Sequence, residues 1–364
     1  MRIVMFYHSL VSDWNHGNAH FLRGLASELL ARGHALTVYE PADAWSLQNL
    51  LQDRGVAAIS AFHAAYPELT STTYDPTDLD LDRALHDADL VIVHEWNEPE
   101  LVVRIGAHHA RFRRYRLLFH DTHHRAVSAP EELARFDLRD YDGVLAFGEV
   151  LRERYIANSW TQRAWTWHEA ADTRMFYPRP PAENPDDLVW IGNWGDGERS
   201  EELSAFLLDP VERLRLRANI YGVRYPADAQ SRITKSGASY CGFLSNFDAP
   251  GVFARHKLTV HVPRRYYATT LPGIPTIRVF EALASGIPLV SAPWRDSEGL
   301  FHPGEDYLVA RDGNEMTQHI RTLLHEPERA RALAEHGLAT IRARHTCAHR
   351  VEELMNIYQS LVSN

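Results

Sequence analysis

Short apolar runs led by β-branched residues recur along this chain, each closed by a polar loop and separated from the next by a stretch of helical length. Unbroken apolar runs require cover on both faces, which a parallel sheet wrapped by helices provides. The first series lies at residues 3–7, 35–39, 90–93, 116–119 and 143–147, and the second at 188–191, 218–221, 258–262, 288–291 and 307–310. Between the first two runs, Phe21, Leu22, Leu25, Ala26, Leu29 and Leu30 repeat at helical spacing. Asn18 stands as N-cap and Arg32-Gly33 as the stop. The rhythm predicts an α/β chain of two Rossmann-like halves.

The boundary falls in residues 171–187, where Pro178, Pro180, Pro181 and Pro185 interrupt regular structure. The expected domains are residues 1–172 on the acceptor side and 173–345 on the donor side. Residues 346–364 are expected as a C-terminal helix able to pack on either domain, including back on the first. The tail from 328 to 361 is amphipathic, with Leu333, Ile341, Val351, Leu354 and Tyr358 as expected buried positions.

The length of 364 residues suits two domains at roughly 150 residues each. No run approaches the roughly 18 apolar residues a membrane span needs. With 38 basic and 48 acidic residues the net charge is −10, so nucleic acid is not the expected partner. Two cysteines, Cys241 and Cys347, make no disulfide framework, and the first apolar run is too short for a signal-peptide core. A cytoplasmic location is expected. Only Lys235 and Lys257 are lysines, so anion binding would rely on the arginine fork.

Two open α/β sheets in tandem imply a cleft between the carboxyl ends of their strands, and ligands bind there. Residues 271–290 are the most informative segment: a Pro/Gly loop opens a short helix that Gly286 ends before a buried strand. Free N–H groups at that helix start suit a diphosphate, with Thr276 adding a hydroxyl and Arg278 a cation. Glu281, one turn further on the same face, suits the vicinal hydroxyls of a ribose. A surface Arg–Glu pair on an ordinary amphipathic helix is the competing reading.

The segment EALASGIPLV resembles the Glu-Ala-hydrophobic-Ala-x-Gly-x-Pro-Val-Val signature of GT-B glycosyltransferases of the group 1 type, the family four superfamily. GNAHFLRGLASELLARGHALTVYE resembles their glycine loop and first helix, ADTRMFYP their interdomain Val-Asp-x-x-x-Phe-x-Pro, and CGFL their Phe-x-Gly-x-Leu. GNWGDGERSEEL and TIRVFEALASG look most like the CgeB-like branch. The resemblance implies the GT-B fold, two Rossmann-like domains facing a cleft, and transfer of a sugar from a nucleotide-diphosphate sugar to a hydroxyl acceptor. That acceptor is a glycan, a lipid or a small molecule. The resemblance also implies retention, independence of metal and no cofactor beyond the nucleotide-sugar co-substrate. A sugar-nucleotide epimerase or hydrolase on the same fold, or a non-catalytic nucleotide-sugar binder, is the alternative.

By resemblance, Glu281 binds the ribose, Thr276, Arg278 and Arg199 hold the diphosphate, and Gly242, Phe243 and Leu244 meet the base. Gly17 and Asn18, with Gly192 and Asn193 opposite, let backbone approach the donor. The family's first glutamate is replaced by Gly273, for which the backbone amides of Gly273 and Ile274 would substitute. His120 resembles the histidine facing the reacting sugar, with Asp121, His20 and the pair His94-Glu95 as lesser candidates. The run from His120 to His124 lacks the spacing of a metal site, since ligands three or four apart share a face only on a helix. The basic stretch 104–116 reads as a solvated face, in preference to a membrane contact.

Overall fold

The computed structural model describes residues 1–195 and 197–363. It divides into two compact units: unit 1 is residues 1–169 together with the segment from Cys347 on, and unit 2 is Ala170–Thr346. Unit 1 holds β1 (Arg2–Phe6), β2 (Ala35–Pro41), β3 (Ser71–Tyr74), β4 (Leu90–His94), β5 (Arg116–Asp121), β6 (Gly143–Ala146) and β7 (Ala164–Thr166). These form one parallel sheet in the order β3-β2-β1-β4-β5-β6-β7. The order reverses between β1 and β4, the switch point where the flanking loops part. Both strands are buried over almost their whole length, as their unbroken apolar sequences require.

Unit 2 holds β8 (Asp186–Ile191), β9 (Ala218–Tyr221), β10 (Ser239–Gly242), β11 (His256–His261), β12 (Leu289–Ser291) and β13 (Leu308–Val309). Its sheet is also parallel, ordered β10-β9-β8-β11-β12-β13, and reverses between β8 and β11. Leu188, Trp190, Ile220, Leu258, Val260 and Val290 from the sheet pack with Leu203, Leu207, Ile233, Met316 and Ile320 from the covering helices.

The tail is two helices, Pro327–Arg344 and Cys347–Val362. At the break, His345 Nε2 is hydrogen-bonded to the Leu300 carbonyl at 2.8 Å, and Thr346 bridges to Ala171. The last helix lies on the helix Ala19–Ala31, and Trp167 Nε1 donates to its Arg350 carbonyl at 2.9 Å. Leu333, Ile341, Val351 and Leu354 are buried, whereas Tyr358 is half-buried. Among the described residues no helix is long and apolar enough to cross a membrane.

Candidate active site

In unit 2 the chemistry gathers at the switch point. The helix Ile277–Ala284 begins beside the carboxyl end of β11, with Thr276 at its N-cap in extended geometry (φ −77°, ψ 157°). Its hydroxyl does not cap the helix; it meets His261 Nε2 at 3.0 Å, while His261 Nδ1 meets Ser291 Oγ at 2.9 Å. Ser291 Oγ donates to the Ala292 carbonyl, so it accepts from Nδ1–H, and the hydrogen-bond network thereby assigns Nε2 as acceptor of the Thr276 proton. Burial lowers His261 to about 3, with Arg199 and Arg278 adding to the effect, and the ring is neutral. The backbone N–H groups of the first helical turn therefore open outward with no side-chain cap across them.

Arg278 is ion-paired with Glu281 on the same helix, and Glu281 is 0 % exposed, so this is no ordinary surface pair. Arg199 is buried and its hydrogen bonds go to neutral oxygens: Nη1 to the Val262 carbonyl at 2.9 Å, Nη2 to the Asn193 carbonyl at 2.9 Å and to Asn193 Oδ1 at 2.7 Å. Burial, with the nearby Arg264, lowers it to about 10 without discharging it at neutral pH. Arg264 in turn pairs with Glu198 at 2.5 Å. The loop after β8 is thus clamped to the end of β11 by a guanidinium that keeps its charge.

Gly192 serves this clamp from beneath: its N–H donates to the Tyr221 carbonyl at 2.9 Å, and a Cβ there would stand 2.7 Å from the Trp190 ring. Gly273 has φ +89°, and its N–H donates to the Arg295 carbonyl at 2.8 Å, so that amide already has a partner. Ile274 is fully buried, and its carbonyl accepts from Trp294 Nε1 at 3.0 Å. Gly242 ends edge strand β10 and Phe243 and Leu244 follow it, three strands from β11 and about 14 Å away at ordinary strand spacing.

In unit 1, His120 is the last residue but one of β5, with 1 % exposure. Its Nδ1 shares a 2.6 Å hydrogen bond with Tyr7 Oη, its Nε2 has no hydrogen-bond partner, and Trp167 and His94 pack against the ring. Burial lowers it to about 3. Thr122 joins Asn18 Nδ2 at 2.5 Å, His94 Nε2 at 3.0 Å and Glu95 Oε1 at 3.3 Å, so the Asn18 side chain binds this loop instead of capping its own helix. Gly17 precedes it, and its carbonyl accepts from the His20 N–H at 3.3 Å; the His20 side chain is fully buried. Asp121 points to the opposite sheet face, as strand alternation demands, and accepts from Tyr155 Oη at 2.8 Å. Burial raises it to about 6. His120 and Asp121 therefore do not meet one ligand together. His124 Nδ1 turns to Ser128 at 2.8 Å, and no group of three metal-ligating side chains occurs among the described residues. In the basic stretch, Arg104 ties down a loop through the carbonyls of Pro76 and Leu79.

Residues 199–356 match the family model described as glycosyl transferase-like. The chain has the GT-B fold, and its second unit carries the glycosyl transferase-like match. Its fold is shared with sucrose-phosphate synthase of Thermosynechococcus elongatus at 15 % identity and a TM-score of 0.65, over 100 % of this chain and 99 % of that one. HepE of Anabaena, solved with UDP, gives 15 % identity and a TM-score of 0.70 over 99 % and 100 %. An alpha-glucosyltransferase solved with UDP and a 13-mer DNA gives 14 % and 0.69 over 99 % of each chain. No curated protein matches by sequence.

His261 is the residue of this site that sequence reasoning passes over. Its signal is positional: it closes a buried strand at the carboxyl end beside a switch point, as His94 does in the other unit. Among 21 histidines that signal is easily lost.

Proposed function

We propose that the transferase moves a sugar from a nucleotide-diphosphate sugar to a hydroxyl acceptor, with retention and without a metal ion. The observation that carries the reading is the charge surplus at the switch point of unit 2. Arg199 ends on neutral oxygens, and it stands with Arg278 near an uncapped helix N-terminus. A diphosphate supplies the missing negative charge, and helix dipole plus guanidinium take the part a cation would otherwise play. Glu281 then faces the ribose, the segment 242–244 the base, and Gly273 and Ile274 the donor sugar. The departing diphosphate takes the acceptor proton, so unit 1 need hold no strong base, and a neutral His120 positions donor hydroxyls. Gly17, Asn18, Gly192 and Asn193 line the backbone approach, His20 supports it from the core, and Asp121 serves packing. The motifs after β8 and before β12 favour the CgeB-like branch.

HepE and the alpha-glucosyltransferase were solved with UDP, and HepE also with UDP-glucose, so uridine donors are the first to test. Calorimetric titration with UDP and UDP-glucose is expected to show saturable binding, and turnover is expected to survive EDTA. Proton NMR of the product reads the anomeric configuration. Absence of binding by uridine, adenosine and guanosine diphosphates alike would remove the donor site. Release of free sugar alone with every acceptor would make the enzyme a hydrolase.

A further inference from the structure

We infer that unit 1 carries a binding site for an uncharged pyranoside ring on an aromatic shelf built by the loops after β1, β2 and β4. Calling that ring the acceptor rests on the transfer reaction proposed above; the site itself does not.

The shelf spans the switch point between β1 and β4. His8 lies 5.1 Å from the Trp45 ring centroid on one side and 6.2 Å from that of Trp96 on the other. Trp14 stands edge-on to Trp45 at 6.0 Å, and His16 edge-on to His8 at 5.3 Å. Trp45 is 36 % exposed, and Trp14 and Trp96 are half-buried, so three indole rings reach water at one place. An apolar core has no need of that arrangement, whereas a ligand with a C–H face does.

The polar atoms on the shelf specify the ligand further. His8 and His16 are 3 % and 7 % exposed, yet Nε2 of each has no hydrogen-bond partner. Buried orphan polar atoms are costly and rare, and two side by side under exposed aromatic rings mark where a ligand's hydroxyls belong. His16 is hydrogen-bonded to the Ser9 backbone, which leaves Nε2 as a lone-pair acceptor for an O–H. Burial holds both rings neutral, His8 near 4 and His16 well below its usual value.

Charge decides between a sugar and an anion. Arg23 is paired with Asp13 at 2.8 Å, and Arg125, stacked 4.3 Å over Trp96, is paired with Glu95. No cation of the shelf is left to a phosphate or carboxylate, and the neutral histidines add none. An uncharged polyhydroxylated ring, apolar on one face and hydroxylated at its rim, matches indole faces bordered by imidazole nitrogens.

The test is saturation-transfer NMR on the full chain with methyl glucopyranoside, methyl galactopyranoside and methyl mannopyranoside, each with and without UDP. At least one is expected to show saturation of its ring C–H protons. Its affinity should fall tenfold or more in Trp45→Ala, an exposed position that leaves the core intact, and in His16→Phe, while the UDP affinity of Trp45→Ala stays within twofold of wild type. Saturation with none of the three, or saturation indifferent to Trp45→Ala, overturns the site. So does a Trp45-dependent signal from a nucleoside or a sugar phosphate in place of the pyranosides. Pyranoside binding without UDP binding would sink the donor reading and leave the shelf standing.

Discussion

Neighbours in sequence can have opposite electrostatic fates, and His120 and Asp121 show it. Both are buried, but burial disfavours the charged form of each, so the imidazole drops to about 3 while the carboxyl climbs to about 6. In the unfolded chain Asp121 titrates near the ordinary carboxyl value, so between that value and 6 the folded protein holds a proton the unfolded chain has released. Stability from this group is complete below the ordinary value and is lost as pH rises through 6. Asp121→Asn should raise the melting temperature at pH 8 by several degrees, on the order of 2 kcal/mol, and leave it unchanged at pH 3.5. His120→Ala should instead lower kcat more than donor affinity; equal turnover would remove it from the mechanism. Arg278 carries two duties, since it also pairs with the buried Glu281. Arg278→Ala is expected to cost roughly 1.5–3 kcal/mol in UDP binding and to lower the melting temperature as well. The double change Arg278→Gln with Glu281→Gln should recover much of the stability and none of the affinity, as titration and melting together will read.

At the scale of elements, the loop before helix 277–284 explains why glycine stands at 273. With φ +89° any side chain is strained, and a Cβ would lie 2.7 Å from Glu298 Oε1 and 2.8 Å from Ser297 Oγ. Gly273→Glu should therefore destabilise unit 2 by about 1–3 kcal/mol and weaken UDP binding, rather than restore a family contact. A melting curve equal to wild type would show that the loop adapts. The same scale shows what the sequence made legible. Residues 90–93 lie in β4 as their pattern predicts, because a central strand covered on both faces must be apolar along the run LVIV. The edge strands Ser71–Tyr74, Ala164–Thr166 and Ser239–Gly242 escape the same reading, for each is short and incompletely buried and its sequence need not be apolar. Helix 277–284 was legible through its Pro/Gly entrance and Gly286 exit. The Thr276–His261–Ser291 chain was not, since it joins residues 15 and 30 apart that only the parallel register of β11 with β12 brings together.

Across the whole molecule, the −10 net charge says little about acid behaviour, because the groups that decide it are neutral. Besides the half-buried His34, burial lowers the buried rings His8, His16, His94 and His120 in unit 1, and His256 and His261 in unit 2. An unfolded chain protonates each near the ordinary histidine value, while the folded units refuse the proton until a lower pH. Stability is therefore present above about 6.5 and is lost as pH falls through the window below it. Each fully buried ring contributes up to about 2 kcal/mol of loss between pH 6.5 and 5, and Asp121 offsets only part of that in unit 1. Unit 1, with four such rings against two, should lose stability faster on acidification. Scanning calorimetry at pH 7.5 and pH 5 is expected to show one transition moving down further than the other. UDP, by mass action on folded unit 2, where the donor site is proposed, should raise the transition that moves less. If acid lowers both transitions equally, or UDP lifts the more acid-sensitive one, then the neutral histidines of unit 1 are not what limits this protein at low pH.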